Sequence, residues 1–227
     1  MYTLHWQPPY DWSWMLGFLR ARAVVGVDII SETRYIRAFA LGEHRGTISA
    51  EPDEANGVLK VTLSDGLQPV ADDCLRLLSN LFDLTCNPHE VTAALGELGA
   101  ARPGLRLPGC MNPFEQGVRA ILGQLVSVAM AAKLTSRVAL LCSERLNDDF
   151  VLFPTPAQLA KADPMALKAL GMPVKRAESL IFLAQSVLDG TFPLTPPDDV
   201  ELGVKTLITF PGIGRWTANY YALRGWQ

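Results

Sequence analysis

Gly212, Gly214, Arg215 and Thr217 stand where an anion could be held. They lie in the stretch Leu207-Ile208-Thr209-Phe210-Pro211-Gly212-Ile213-Gly214-Arg215-Trp216-Thr217-Ala218-Asn219-Tyr220. The order Pro-Gly-Ile-Gly predicts that one helix ends in a tight turn and a second begins at once. Both glycines can take positive φ and neither carries a Cβ, so the backbone can press against a ligand. The amides that open the second helix have no intrahelical acceptor, and a phosphate can accept from them. Ile213 is an apolar plug able to lock the two helices together. Arg215 and Thr217 add side-chain donors in the first turn of the second helix. A nucleic-acid strand held this way is gripped without regard to sequence, because phosphates carry none. The same turn would also serve as a plain helix–helix connection with no ligand.

The elements that position this turn differ between the two parts of the chain. The fold class expected is α+β: an N-terminal mixed α/β domain over residues 1–100 with an antiparallel sheet, then an all-helical bundle over 111–227 that carries the hairpin near 204–225. Residues 2–7 alternate as a strand until Pro8-Pro9. Residues 12–24 have helical spacing, with Trp12, Met15, Leu16 and Leu19 on one face. Strands are predicted at 34–41 and 57–63, punctuated by Gly42, Gly46 and Gly57, and a helix at 70–84. The segment 100–109, rich in Gly, Pro and Arg, is the expected boundary. Beyond it, Asn112-Pro113-Phe114-Glu115 and Thr155-Pro156-Ala157-Gln158 are helix starts, and the glycines of Gly171-Met172-Pro173 and Gly190-Thr191-Phe192-Pro193 end helices.

The 227 residues carry a net charge of −3, which by itself argues against nucleic acid. The charge is unevenly spread: residues 1–100 hold 7 Lys/Arg against 13 Asp/Glu, and 101–227 hold 13 against 10. The balance is therefore −6 and +3, with the positive part in the half that holds the hairpin. No apolar run is long enough to span a bilayer, and the first residues have no signal-peptide pattern, so a cytoplasmic, membrane-free monomer is expected. Cys74, Cys86, Cys110 and Cys142 show no metal spacing and read as reduced, mostly buried thiols; His5, His44 and His89 are scattered.

The hairpin resembles that of the helix-hairpin-helix DNA glycosylases. Trp6-Gln7-Pro8-Pro9-Tyr10-Asp11-Trp12, Arg106-Leu107-Pro108-Gly109-Cys110 and Phe114-Glu115-Gln116-Gly117-Val118-Arg119-Ala120-Ile121-Leu122-Gly123-Gln124 are similar to segments of the alkylation-repair, 3-methyladenine type. The resemblance implies base-excision repair of alkylated bases in double-stranded DNA, by hydrolysis of the N-glycosidic bond after the base is flipped out. Relatives that also cut the strand have a Lys where this chain has Trp216, and an indole cannot form the Schiff base. A monofunctional enzyme is implied.

Trp216 and Tyr220, four residues apart, share a helix face. An alkylated purine is a cation, and stacking on an aromatic face favours it by roughly 0.5–2 kcal/mol per ring. By the resemblance Phe18 and Gln124 complete the base pocket and Leu125 is the wedge that fills the gap left by the flipped base. From the residues alone, Leu125 is one more buried leucine in the stripe Ile121, Leu122, Leu125, Val126, and Phe18, Trp216 and Tyr220 could be core. The family hairpin can also hold a structural monovalent cation on main-chain carbonyls, matching Ile208, Phe210 and Ile213; no other cofactor is required. The family's catalytic Asp lies in a loop expected past Gln227, so no catalytic residue is assigned within the chain. Asp198, Asp199 and Glu201 read instead as a helix N-terminus. A catalytically inactive, truncated DNA-binding module is the alternative.

Overall fold

The computed structural model describes residues 1–226, and the chain divides into two compact units: Met1–Ala23 with Asp28–Met111, and Val24–Val27 with the chain from Asn112 on. The first unit is built on an antiparallel sheet of five strands, β1 (Tyr2–His5), β2 (Asp28–Ile30), β3 (Tyr35–Leu41), β4 (His44–Asp53) and β5 (Val58–Leu63), in the order β1-β5-β4-β3-β2. Pairing of Leu41 with His44 leaves a two-residue turn at Gly42-Glu43, with Gly42 at φ +60. On one face of the sheet lie Ile48, Ala50, Leu59, Val61 and Leu63, all buried in the unit's core.

Helix α1 (Trp12–Arg20) is capped by the Asp11 carboxylate, which accepts from the Trp14 amide at 2.9 Å. It buries Trp12, Met15, Leu16 and Leu19, the face predicted, but stops at Arg20 rather than at residue 24. The chain there is needed elsewhere: in the second unit the Val25 amide donates to Ser136 Oγ and the Val151 amide to Gly26 O. The helix predicted over 70–84 is α2 (Ala71–Leu81), preceded by a 3-10 turn over Asp65–Val70 that contains Pro69. Two short helices not predicted from the sequence, α3 (Pro88–Leu95) and α4 (Glu97–Ala101), follow.

The segment 100–109 is bound into the first unit rather than free as a linker. Gly104, at φ +81, lies so close to the backbone of Pro9 and Tyr10 that a Cβ would meet both at 2.8 Å. The Arg106 guanidinium is buried, donates to the carbonyls of Gln7, Pro9, Asp83 and Cys86, and stacks over the Tyr10 ring at 4.9 Å. A Gly- and Pro-rich composition fits a linker and a buried strap equally; the partners its polar groups find decide which it is. With Arg102 and Arg106 in the first unit, the second keeps 11 basic residues against 10 acidic, a balance of +1 rather than the +3 of the sequence half.

The second unit is a helical bundle of α5 (Pro113–Leu122), α6 (Val128–Cys142), α7 (Pro156–Ala160), α8 (Pro164–Ala169), α9 (Val174–Leu188), α10 (Val200–Ile208) and α11 (Arg215–Gly225). Asn112 caps α5 by accepting from the Phe114 and Glu115 amides, and Thr155 and Gln158 form a complete capping box on α7. Gly171 and Gly190 sit at positive φ just past helix ends. The unit is not wholly helical, since Arg145 and Val151 pair as an isolated antiparallel bridge. Among the described residues no helix is long and apolar enough to cross a membrane, and no group of His, Cys, Asp or Glu is placed to hold a metal.

Candidate nucleic-acid interface

The Asp199 side chain accepts from the Leu202 amide and starts α10. Asp199 is thus a helix cap, and Glu201 lies in the first turn of the same helix. The helix tightens at its end, where Thr209 N bonds Thr206 O and Phe210 N bonds Leu207 O. A turn over 210–213 follows, closed by Ile213 N to Phe210 O at 3.1 Å, with Pro before Gly and Gly212 at φ +80. That is the residue order and the positive φ of a type II turn. Ile213 is buried in the core of the unit, as the plug reading requires.

The two glycines differ in why they are glycine. A Cβ on Gly212 would meet Ser179 Oγ at 2.3 Å and Ser179 Cβ at 2.6 Å, so Gly212 serves the φ +80 turn and close packing on α9. Gly214 is not at positive φ: it is the extended N-cap of α11, at φ −85 and ψ 175, and a Cβ there would meet nothing within 4 Å. As Gly has no side chain to cap the helix, the first α11 amides lack a side-chain acceptor. Gly212, Gly214 and Arg215 are exposed. Thr217 is buried and turns its hydroxyl to Gln124, so its backbone amide, rather than its side chain, is left for an anion.

Leu125 is not part of a buried stripe. It is fully exposed, with φ +56, on the loop between α5 and α6. Gln124 beside it turns its amide nitrogen to the hairpin. Gln124 Nε2 donates to Gly212 O at 2.6 Å and to Thr217 Oγ1 at 2.9 Å, which ties the loop to the hairpin.

Trp216 is 63% exposed and lies parallel to Tyr220, with ring centroids 5.1 Å apart and planes 10° from parallel. Core packing does not account for an indole left in water. Tyr220 is half-buried, and its hydroxyl accepts from Arg224 Nη1 at 2.9 Å. Arg224 continues the spacing 216–220–224 along α11, a four-residue step in the sequence that could have singled it out. Phe18 belongs to the first unit, on α1, where its ring is overlaid by the Arg22 guanidinium at 3.6 Å and neighbours Trp14 at 5.3 Å. The carbonyls of Ile208, Phe210 and Ile213 lie at the end of α10 and in the turn. Phe210 O already accepts from Ile213 N, and Ile208 O takes no backbone amide among the described residues.

The family model described as AlkA N-terminal domain matches residues 1–112, and that described as HhH-GPD superfamily base excision DNA repair protein matches residues 118–214. The chain belongs to this superfamily of base excision DNA repair proteins, in the group with an AlkA-type N-terminal domain. It is 67% identical to the Escherichia coli DNA-3-methyladenine glycosylase 2 over 229 residues, which covers 100% of this chain and 81% of that protein. The DNA-3-methyladenine glycosylase of Bacillus subtilis is 24% identical, over 95% of this chain and 76% of that protein. Among solved structures, the fold is shared with the 3-methyladenine DNA-glycosylase of Archaeoglobus fulgidus, with a TM-score of 0.80 at 20% identity over 98% of this chain and 78% of that one.

Proposed function

We propose that this chain acts in base-excision repair as a monofunctional glycosylase: it hydrolyses the N-glycosidic bond of alkylated, 3-methyladenine-type purines in double-stranded DNA. The observation that carries this reading is an exposed Trp216–Tyr220 stack at the first turns of the helix whose amides are uncapped at Gly214. A cationic base and the phosphate of its own strand need those two features side by side. The amides of Gly212, Gly214, Arg215 and Thr217 take a phosphate, and the Arg215 side chain adds charge. Leu125 enters the helix as the base leaves it, and the flipped cation meets the Trp216 indole. A monovalent cation on Ile208, Phe210 and Ile213 would add positive charge beside the phosphate. Asp199 is not assigned the reacting carboxylate, since it is bound as a helix cap. The protein is proposed to work as a cytoplasmic monomer.

Gly214→Asp tests the grip without breaking the fold. The site has room for the side chain and an ordinary φ, and Asp caps helices, so stability should rise by about 0.5 kcal/mol. The same carboxylate occupies the anion position, so affinity for duplex DNA should fall by about tenfold or more. Unchanged affinity in a titration against a fluorescent duplex overturns the grip. Release of 3-methyladenine from a methylated duplex separates the glycosylase from a binding module, which would hold the duplex and release nothing.

A further inference from the structure

Leu125 is a fully exposed leucine at φ +56, a conformation that L-residues with a branched side chain rarely adopt. Nothing local favours that state, so neighbouring contacts must impose it. Two converge on the residue before it. Gln124 Nε2 uses both hydrogens on the hairpin, at Gly212 O (2.6 Å) and Thr217 Oγ1 (2.9 Å). Arg176 Nη2, from the first turn of α9, donates to Gln124 O at 2.8 Å. On the other side of Leu125, Ser127 Oγ caps α6 by accepting from the Met130 amide at 3.2 Å. The same α9 lies under the turn, with Ser179 against Gly212. The loop is thus fixed at both ends, and at one end it is fixed to Gly212 and Thr217, two of the residues whose amides are proposed to seize the strand.

We propose that Gln124 is a positioning residue, with Arg176 as its support: together they lock the wedge loop to the hairpin so that Leu125 is already erect when a phosphate is gripped. This rests on the reading of the hairpin as the DNA grip. Grip and wedge then form one rigid part, and the ordering of the loop is completed at folding rather than at binding.

The full chain is titrated with a duplex carrying a central tetrahydrofuran abasic analogue flanked by 2-aminopurine, whose fluorescence reports unstacking, and with the intact duplex. Leu125→Ala should lose the preference for the abasic duplex and the fluorescence rise. Gln124→Ala and Arg176→Met should reproduce most of that loss, by about five- to tenfold, with Leu125 still present. The double variant Gln124→Ala/Leu125→Ala should be no worse than Leu125→Ala, because Gln124 acts through Leu125. In the free protein, amide exchange at residues 125–127 should speed up in Gln124→Ala while the thermal midpoint stays near that of the parent. Independent, multiplying losses, or a Gln124→Ala protein with full preference and unchanged exchange, overturn the coupling alone. A parent chain with no preference between the two duplexes overturns the reading of Leu125 as the wedge, a parent that binds neither overturns the reading of the grip, and this inference falls with either.

Discussion

At the scale of single residues, the site separates into side chains that face water for no structural gain and side chains that look functional but hold the fold. Trp216 is of the first kind. As it is 63% exposed, Trp216→Ala should change unfolding free energy by less than about 0.5 kcal/mol. Affinity for a duplex with a cationic base should drop by about two- to thirtyfold, the worth of one stacked ring, while affinity for undamaged duplex stays put; paired titrations measure both. Asp83 is of the second kind. It sits at φ +52, accepts from the Leu107 amide at 3.1 Å, and burial raises its pKa. Its ionised form therefore costs stability at neutral pH, and the cost disappears as pH falls through the raised pKa toward the ordinary carboxylate value, ~3.9. Asn tolerates positive φ and keeps an acceptor, so Asp83→Asn should raise the melting temperature at pH 7 and lose that advantage below about pH 4. A melting series from pH 3 to 8 reads this out.

At the scale of elements, α9 underlies the hairpin: Ser179 packs against the turn and Arg176 donates to Gln124 O in the loop between α5 and α6. Gly212 has a steric duty that its neighbour Gly214 lacks. Gly212→Ala should cost about 2–3 kcal/mol, from a side chain at φ +80 and from collision with Ser179. Adding Ser179→Gly should recover the collision part and not the φ part, as chemical denaturation of the single and double variants would show. The helix starts at Asn112 and Thr155 were readable from the sequence, because a cap is a local bond between residues two or three apart. The end of α1 was not. Its apolar pattern continues past Arg20, and only the bonds from Val25 and Gly26 to Ser136 and Val151 end it there.

At the scale of the molecule, charge balance sets how the proposed DNA binding should respond to salt. The unit with the hairpin carries a balance of only +1, since Arg102 pairs with Asp11 and Arg106 is buried, both in the other unit. The proposed grip relies on backbone amides more than on cationic side chains. The logarithm of affinity for an undamaged duplex should then fall with the logarithm of salt at a slope of about −1 to −3, far shallower than for a broad basic surface. A titration series from 50 to 300 mM salt, roughly the range over which counterion release is read, checks it.

The sequence by itself determined the fold class, the order of helices around the hairpin, the buried plug at Ile213 and the aromatic pair at 216 and 220, since each follows from local periodicity, caps or turn chemistry. Tertiary structure alone decided that Leu125 faces water, that Gln124 braces the hairpin, and that residues 100–109 are anchored to the first unit through the buried Arg106. These three depend on contacts between residues tens of positions apart in sequence. A leucine, a glutamine or an arginine has the same local preferences whether its partner is water or a distant carbonyl.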